Sequence, residues 1–214
     1  MERRIYAFDF DGCIGDTLRI WYMSCVAQLN QRKIELDNRI IMHNILPDLD
    51  QAKNHGVDDI GQFVRSVVMN VIKQSSVYEL HSGLSEALKA IRENGHWTAI
   101  ISSSDRNVIE DVLTRHGLKL MFDLILGRDD VDGRRKPDSW PLQKAAQILG
   151  IDTANMVMIG DSSVDIIAAH AAGATPILFH TQKHGEFYQL DDLLKLKPHH
   201  VISDFLELIK LLSL

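Results

Sequence analysis

The 214-residue chain has only two cysteines, Cys13 and Cys25, without Cys-x-x-Cys spacing. Its N-terminus lacks the apolar core of a signal peptide, and together these absences predict a reduced, cytoplasmic setting. No apolar run approaches the roughly 20 residues needed to span a bilayer, so no membrane partner is expected. Nor is there a surplus of positive charge: 23 Lys and Arg against 29 Asp and Glu give a net charge of -6. That argues against a nucleic-acid partner, and the Arg134-Arg135-Lys136 run is too short to reverse it. Low-complexity tracts and internal repeats are also missing. What remains, 45% hydrophobic and 24% charged residues, is the composition of an ordinary globular chain that can bury a full core, as one domain or a domain plus a modest insertion.

Two patterns divide the chain. Residues 16–80 show helical spacing of apolar residues with few turn signals, which predicts an all-helical insert. Ile20, Met23, Ala27 and Leu29 mark one expected helix, Ile40, Ile41 and Ile45 a second, and Phe63, Val64, Val67, Val68, Val71 and Ile72 a third. From Ser82 onward, helices alternate with short apolar runs. Strands are expected at Trp97–Ile101, Leu124–Leu126, Met156–Ile159, Pro176–Phe179 and Val201–Ile202, with helices ended by Gly95, Gly117, Gly150 and Gly173. With the first run, Ile5–Phe8, this is an α/β protein with a doubly wound parallel sheet, residues 1–15 and 81–214 forming the core and 16–80 a cap.

Asp9 and Asp11 follow the first strand, with Gly12 directly after. Alternate residues of an extended chain share a side, so both carboxylates are expected to project from the C-terminal edge of the sheet. As a lone motif this also suits a polar turn. A divalent cation would justify two like charges there, with one carboxylate as nucleophile and the other as acid. The same edge collects Ser102 after the second strand, Lys136 before a helix, and Asp161 and Asp165 after a fourth strand. Singly these read as a capping hydroxyl, a surface charge and an N-cap. Together they supply a hydroxyl donor, a cation, a nucleophile, an acid and a metal ligand, the set that phosphoryl transfer requires.

At these residues the chain resembles the haloacid dehalogenase-like (HAD) hydrolases, in particular the phosphoglycolate phosphatase-like branch with a helical cap. Asp9-Phe10-Asp11-Gly12 is similar to the family's first motif, Ile101-Ser102-Ser103 to its second, and Lys136-Pro137 to its third. Gly160-Asp161-Ser162-Ser163-Val164-Asp165, followed by Ala168, Ala169, Ala172 and Gly173, resembles the fourth. The resemblance implies a Rossmann-like HAD core and hydrolysis of a small phosphorylated metabolite through an aspartyl-phosphate on Asp9, with Asp11 as acid and then base. It also implies Mg²⁺ held by Asp9, the Asp11 carbonyl and Asp161, with Asp165 behind them. Ser102, Ser103 and Lys136 would hold the phosphoryl group. The acid at Asp11 separates the chain from the family's dehalogenases and phosphonatases.

The motifs depart from the family pattern at Cys13, where Thr is usual, and at Ser139, where a second Pro would follow Lys136-Pro137. Two other readings share the fold: a phosphosugar mutase of the β-phosphoglucomutase type, and a noncatalytic HAD-like binding protein. His180 with His184, and His199 with His200, have no third ligand in a metal motif. Asp129, Asp130, Asp132 and Gly133 lack the closing ligands of a calcium loop and read as solvated. Arg19, Trp21 and Tyr22, just past the first motif, are expected to pack or to touch substrate. The sequence identifies neither the substrate nor the oligomeric state.

Overall fold

A computed structural model describes residues 2–212. Six parallel strands form one sheet in the order β3-β2-β1-β4-β5-β6. They are β1 (Ile5–Phe8), β2 (Trp97–Ile101), β3 (Leu124–Leu126), β4 (Met156–Gly160), β5 (Thr175–Phe179) and β6 (His200–Ile202). β1 is central, with Phe8 in register with Ile100 of β2 on one side and Ile159 of β4 on the other. All four of its residues are buried, which is why it reads as an unbroken apolar run rather than an alternating one.

Helices cover both faces, as right-handed crossovers between parallel strands require. Phe8, Ile100 and Phe179 pack against α4 (Leu84–Glu93), α5 (Arg106–Arg115) and α9 (Phe205–Leu211). On the other face, Ala7, Ala99 and Met158 pack against α6 (Trp140–Leu149) and α7 (Ser163–Ala172), and the small residues Ala145, Ala168, Ala169 and Ala172 line that contact. The doubly wound α/β fold is as the sequence predicts. The shortest helix of the core, α8 (Leu190–Leu194), and the 3₁₀ segment Gln182–Glu186 before it have no counterpart in the sequence reading. Among the described residues, no helix is long and apolar enough to cross a membrane.

Between β1 and α4 the chain leaves the sheet and returns beside its own exit. Asp16 N–H donates to Glu79 O at 3.0 Å, and His81 N–H to Ile14 O at 2.9 Å. The excursion contains α1 (Leu18–Gln31), a helical turn α2 (Asn38–Ile40) continuing as a π turn (Ile41–Ile45), a 3₁₀ segment (Leu49–His55) and α3 (Ile60–Lys73). Cys25, Leu29, Ile41, Ile45, Phe63 and Val67 make a separate apolar cluster. α3 buries Phe63, Val67 and Val71 on the expected face. α1 does not follow its pattern: Met23 is 53% exposed and Ala27 exposed, whereas Ser24, Cys25, Gln28 and Leu29 are buried. Buried polar groups dilute that face, and Gln28 is held by Arg32 Nη1 at 3.1 Å.

Candidate active site

The expected residues meet beyond the C-terminal ends of β1, β2 and β4. A cavity of about 100 Å³ is lined by Asp9, Asp11, Ser102, Ser103, Lys136 and Asp161, with Trp21, Leu46 and Pro47 opposite. Asp9 lies one residue past β1 and still donates its N–H to Ile159 O of β4 at 2.8 Å. Asp11 is already in the following turn. The two carboxylates therefore share the cavity through that turn and not as alternate residues of a strand.

Gly12 makes the turn possible. Its φ is +82°, and a Cβ there would come within 2.4 Å of Asp161 Oδ2. Only glycine satisfies both constraints. His184 holds the same turn from behind. Its Nδ1 accepts the Thr181 N–H at 2.9 Å, so the neutral ring carries its proton on Nε2 and donates it to Gly12 O at 2.7 Å. Burial depresses the His184 pKa to about 4, which keeps the ring neutral.

Lys136 is buried between two carboxylates, with Nζ 2.9 Å from Asp9 Oδ1 and 2.6 Å from Asp165 Oδ1. Burial alone would lower its pKa, but the charges of Asp165 and Asp9 outweigh that and raise it. Asp165 is placed by the capping box at the start of α7, where its Oδ2 accepts from Ser162 N–H at 3.1 Å and Ser162 Oγ at 2.7 Å. Ser162, not Asp161, caps this helix. Gly160 leaves room for Asp165, because a Cβ there would stand 2.2 Å from its Cγ.

One oxygen each from Asp9, Asp161 and Asp165 lies within 4.8 Å of the others. Three carboxylates against one ammonium leave two negative charges uncompensated when all are ionised. Burial, opposed by Lys136 and reinforced by Asp165 and Asp11, raises the Asp9 pKa to about 7. Asp161 is raised further, by burial first and then by Asp165 and Asp9. Its Oδ2 is buried with no hydrogen-bond partner among the described residues. An orphaned oxygen beside excess negative charge, among hard oxygen donors, fits a divalent cation.

Asp11 stands apart from that group. Its Oδ1 accepts from Thr17 Oγ1 at 2.8 Å and Trp21 Nε1 at 2.7 Å, while Oδ2 accepts from Ser104 Oγ. Ser102 Oγ accepts the Ser104 N–H at 3.1 Å, which ties the second motif to the same network. The sequence reading missed Thr17 and Ser104. Their signal was available only as hydroxyls near expected loops, a common pattern with no spacing of its own.

Other expectations resolve differently. Of the three residues after the first motif, Trp21 reaches Asp11, Tyr22 bonds Asn38, and Arg19 pairs with Glu186 at the surface. Cys13 is fully buried and its thiol pKa is pushed well up, first by burial and then by the nearby carboxylates. It is a packing residue. The Arg134-Arg135-Lys136 run is split: Lys136 enters the site, Arg134 pairs with Asp138 at 3.1 Å, and Arg135 is exposed. Asp132 pairs with Lys144 at 3.0 Å and Asp130 caps Gly127 N–H at 2.9 Å, so those acids point to different partners. His199 and His200 line a cavity of about 270 Å³ at the opposite end of the strands, away from the carboxylates.

Fold and site together define a class: a parallel α/β protein with a pocket of carboxylates around a buried ammonium at the carboxyl edge of its sheet. The sequence profile of the haloacid dehalogenase-like hydrolases matches residues 6–179, and the chain belongs to that family. It is 30% identical over 194 residues to the phosphoglycolate phosphatase of Neisseria meningitidis, covering 80% of this chain and 77% of that one. It is 26% identical to pyrophosphatase PpaX of Bacillus cereus over 100% of this chain and 98% of the other. A HAD family hydrolase from Deinococcus radiodurans, crystallised with bound phosphate and sodium, superposes with a TM-score of 0.75 at 26% identity, covering 99% of this chain and 95% of that one.

Proposed function

We propose that the chain is a Mg²⁺-dependent phosphatase of small phosphomonoesters, working through an aspartyl-phosphate on Asp9, with residues 16–80 acting as its cap. One observation carries the reading: Asp9 lies in a buried carboxylate group around Lys136, while Asp11, two residues on, is hydrogen-bonded independently of that group. Neighbouring carboxyls in such different surroundings are suited to different duties.

Asp9 Oδ1 is tied to Phe10 N–H at 2.7 Å and to Lys136, which leaves Oδ2 to attack phosphorus. As that bond forms, the bond from phosphorus to the ester oxygen breaks. With Oδ1 held as an acceptor by the Thr17 hydroxyl and the Trp21 N–H, a proton carried by Asp11 sits on Oδ2, where the rotatable Ser104 hydroxyl turns to accept from it, and passes to the departing alkoxide. Asp11 then takes a proton from water as the water oxygen attacks the acyl phosphate, releasing phosphate and regenerating Asp9. Ser102, Ser103 and Lys136 line the phosphoryl pocket, where a hydroxyl, backbone N–H groups and an ammonium oppose developing charge.

Asp9, Asp161 and the Asp11 carbonyl would hold Mg²⁺, with Asp165 orienting Lys136 beside them. The ion would supply charge neutralisation of the transferring phosphoryl group. The relatives named phosphoglycolate phosphatase and pyrophosphatase support a phosphate substrate. The test is phosphate release from an aryl phosphate with Mg²⁺ and after exhaustive chelation. Turnover only with the metal is expected; undiminished turnover in chelator would refute the metal assignment.

A further inference from the structure

The cavity of about 270 Å³ at the N-terminal edge of the sheet is larger than the one among the carboxylates. Strand register builds its floor. Tyr6 of β1 pairs with Val157 of β4, Val157 with Thr175 of β5, and Ile177, two residues on, with His200 of β6, so these side chains share one face. Leu211 of α9 covers that face, while Arg4 and His199, just before β1 and β6, complete the lining. His199 is held there by its N–H, which donates to Pro176 O at 2.8 Å.

Although the chain has a net charge of -6, no carboxylate lines this cavity. Arg4 has no ion-pair partner among the described residues. Its neighbour Arg3 is engaged, 4.6 Å from the Trp97 ring centroid and donating to Gly95 O at 2.8 Å. The His199 and His200 rings stand perpendicular with centroids 4.8 Å apart, and neither has a hydrogen-bond partner among the described residues. Glu2, the acid beside the rim, is turned to Asn155 Nδ2 at 3.0 Å. Tyr6 is 3% exposed; burial pushes its phenol pKa up, and the Arg4 guanidinium beside it opposes that. A guanidinium can only donate, so the phenol keeps its own proton for a further acceptor.

We propose that Arg4, Tyr6, His199 and His200 form a binding site for a small organic phosphate, separate from the catalytic centre and independent of the phosphatase reading. A guanidinium fork, two imidazoles and a phenol O–H gather from the starts of β1 and β6. A tetrahedral phosphate accepts from several directions at once, which suits that donor set better than a planar carboxylate does. Val157, Ile177 and Leu211 offer apolar surface to the organic part, and the volume lies near the lower end for small-molecule sites. The ligand is not a substrate of Asp9, because the cavity opens at the opposite edge of the sheet.

The test is titration of metal-stripped protein, in buffer free of chelator, with phenylphosphonate, followed by backbone amide NMR. Without a metal, the uncompensated carboxylates repel a phosphonate from the catalytic pocket, so the distal site is read alone. Saturable shifts are expected at residues 4–6, 155–157 and 199–201. Arg4→Gln should weaken binding about tenfold or more, and His200→Gln several-fold, with both variants melting like the native protein. Benzoate should bind several-fold more weakly than phenylphosphonate. Shifts confined to residues 9–12, or none that saturate, overturn the site. Undiminished affinity in both variants does the same, and equal affinity for benzoate overturns the assignment to phosphate.

Discussion

Core and cap line the same cavity with opposite chemistry. The core brings Asp9, Asp11, Lys136 and Asp161, each on a loop leaving the sheet. The segment between Thr17 and Tyr78 brings Leu18 and Trp21 from α1 and Leu46 and Pro47 from the bend after the π turn, and only the Trp21 indole among these offers a side-chain hydrogen bond. Charge sits where backbone registers fix it to within a hydrogen bond, and hydrocarbon sits on the part joined to the core by two chain crossings. On the proposed function, reaction would belong to the core and water exclusion to the cap, because electrostatic stabilisation demands preorganised groups while an apolar wall tolerates displacement.

The comparison breaks first if a core carboxylate proves dispensable. Asp9→Asn should lower phosphate release by about 10⁴-fold or more and abolish the phosphoenzyme. Asp11→Asn should cost on the order of 10² to 10⁴ and let aspartyl-phosphate accumulate from an activated aryl ester, because the water-dependent step suffers more. Acid quench and mass spectrometry should place that adduct on Asp9; an adduct on Ser102 or a histidine would overturn the mechanism.

Lys136→Met tests the core's charge balance through stability. It leaves Asp9 and Asp165 buried without their cation, and a loss of about 3–5 kcal/mol in denaturant unfolding under chelation is expected. A variant as stable as the native protein would mean that the carboxylates are already neutral.

A smaller effect is the pH dependence of the metal-free protein. The folded Asp9 pKa is raised to about 7, above its ordinary 3.8. Between these values the folded state holds a proton that the unfolded chain has released. The stabilisation is therefore complete below about pH 4 and lost as pH rises through 7. Melting temperature in chelator should fall from pH 5 to 8, Asp9→Asn should flatten the slope, and Mg²⁺ should do the same in the native protein. A slope unaffected by either would remove the excess-charge account.

The cap supplies the smallest effects. Trp21→Phe deletes the indole donor to Asp11 and should reduce kcat by about tenfold. Arg19→Ala, altering a side chain 74% exposed and paired with Glu186 at the surface, should stay within about twofold. Equal effects would erase the distinction between a residue that reaches the core and one that does not.

Strand positions were legible because a parallel sheet buries both faces: Trp97–Ile101 and Leu124–Leu126 stand out as apolar runs with turns around them. Helix ends were legible where glycine takes the left-handed conformation, as at Gly150 and Gly173. The face of α1 was not. Its inward side mixes Ser24 and Gln28 with Cys25 and Leu29, so of the apolar spacing Leu29 is buried as expected while Met23 and Ala27 face out. The segment with His184 was equally opaque, since a histidine that bonds a carbonyl 172 positions away leaves no local trace.

By itself the sequence determined the alternation of strand and helix, and with it the edge at which Asp9, Asp11, Ser102, Lys136, Asp161 and Asp165 had to gather, because right-handed crossovers between parallel strands open all their C-terminal ends on one edge. The tertiary structure alone decided how those groups divide: Lys136 between Asp9 and Asp165, Asp161 left with an orphaned oxygen, and Asp11 turned to Thr17, Trp21 and Ser104. A carboxylate's role depends on burial and on partners within a few ångströms, and those come from distant parts of the chain that no residue pattern places at hydrogen-bond distance.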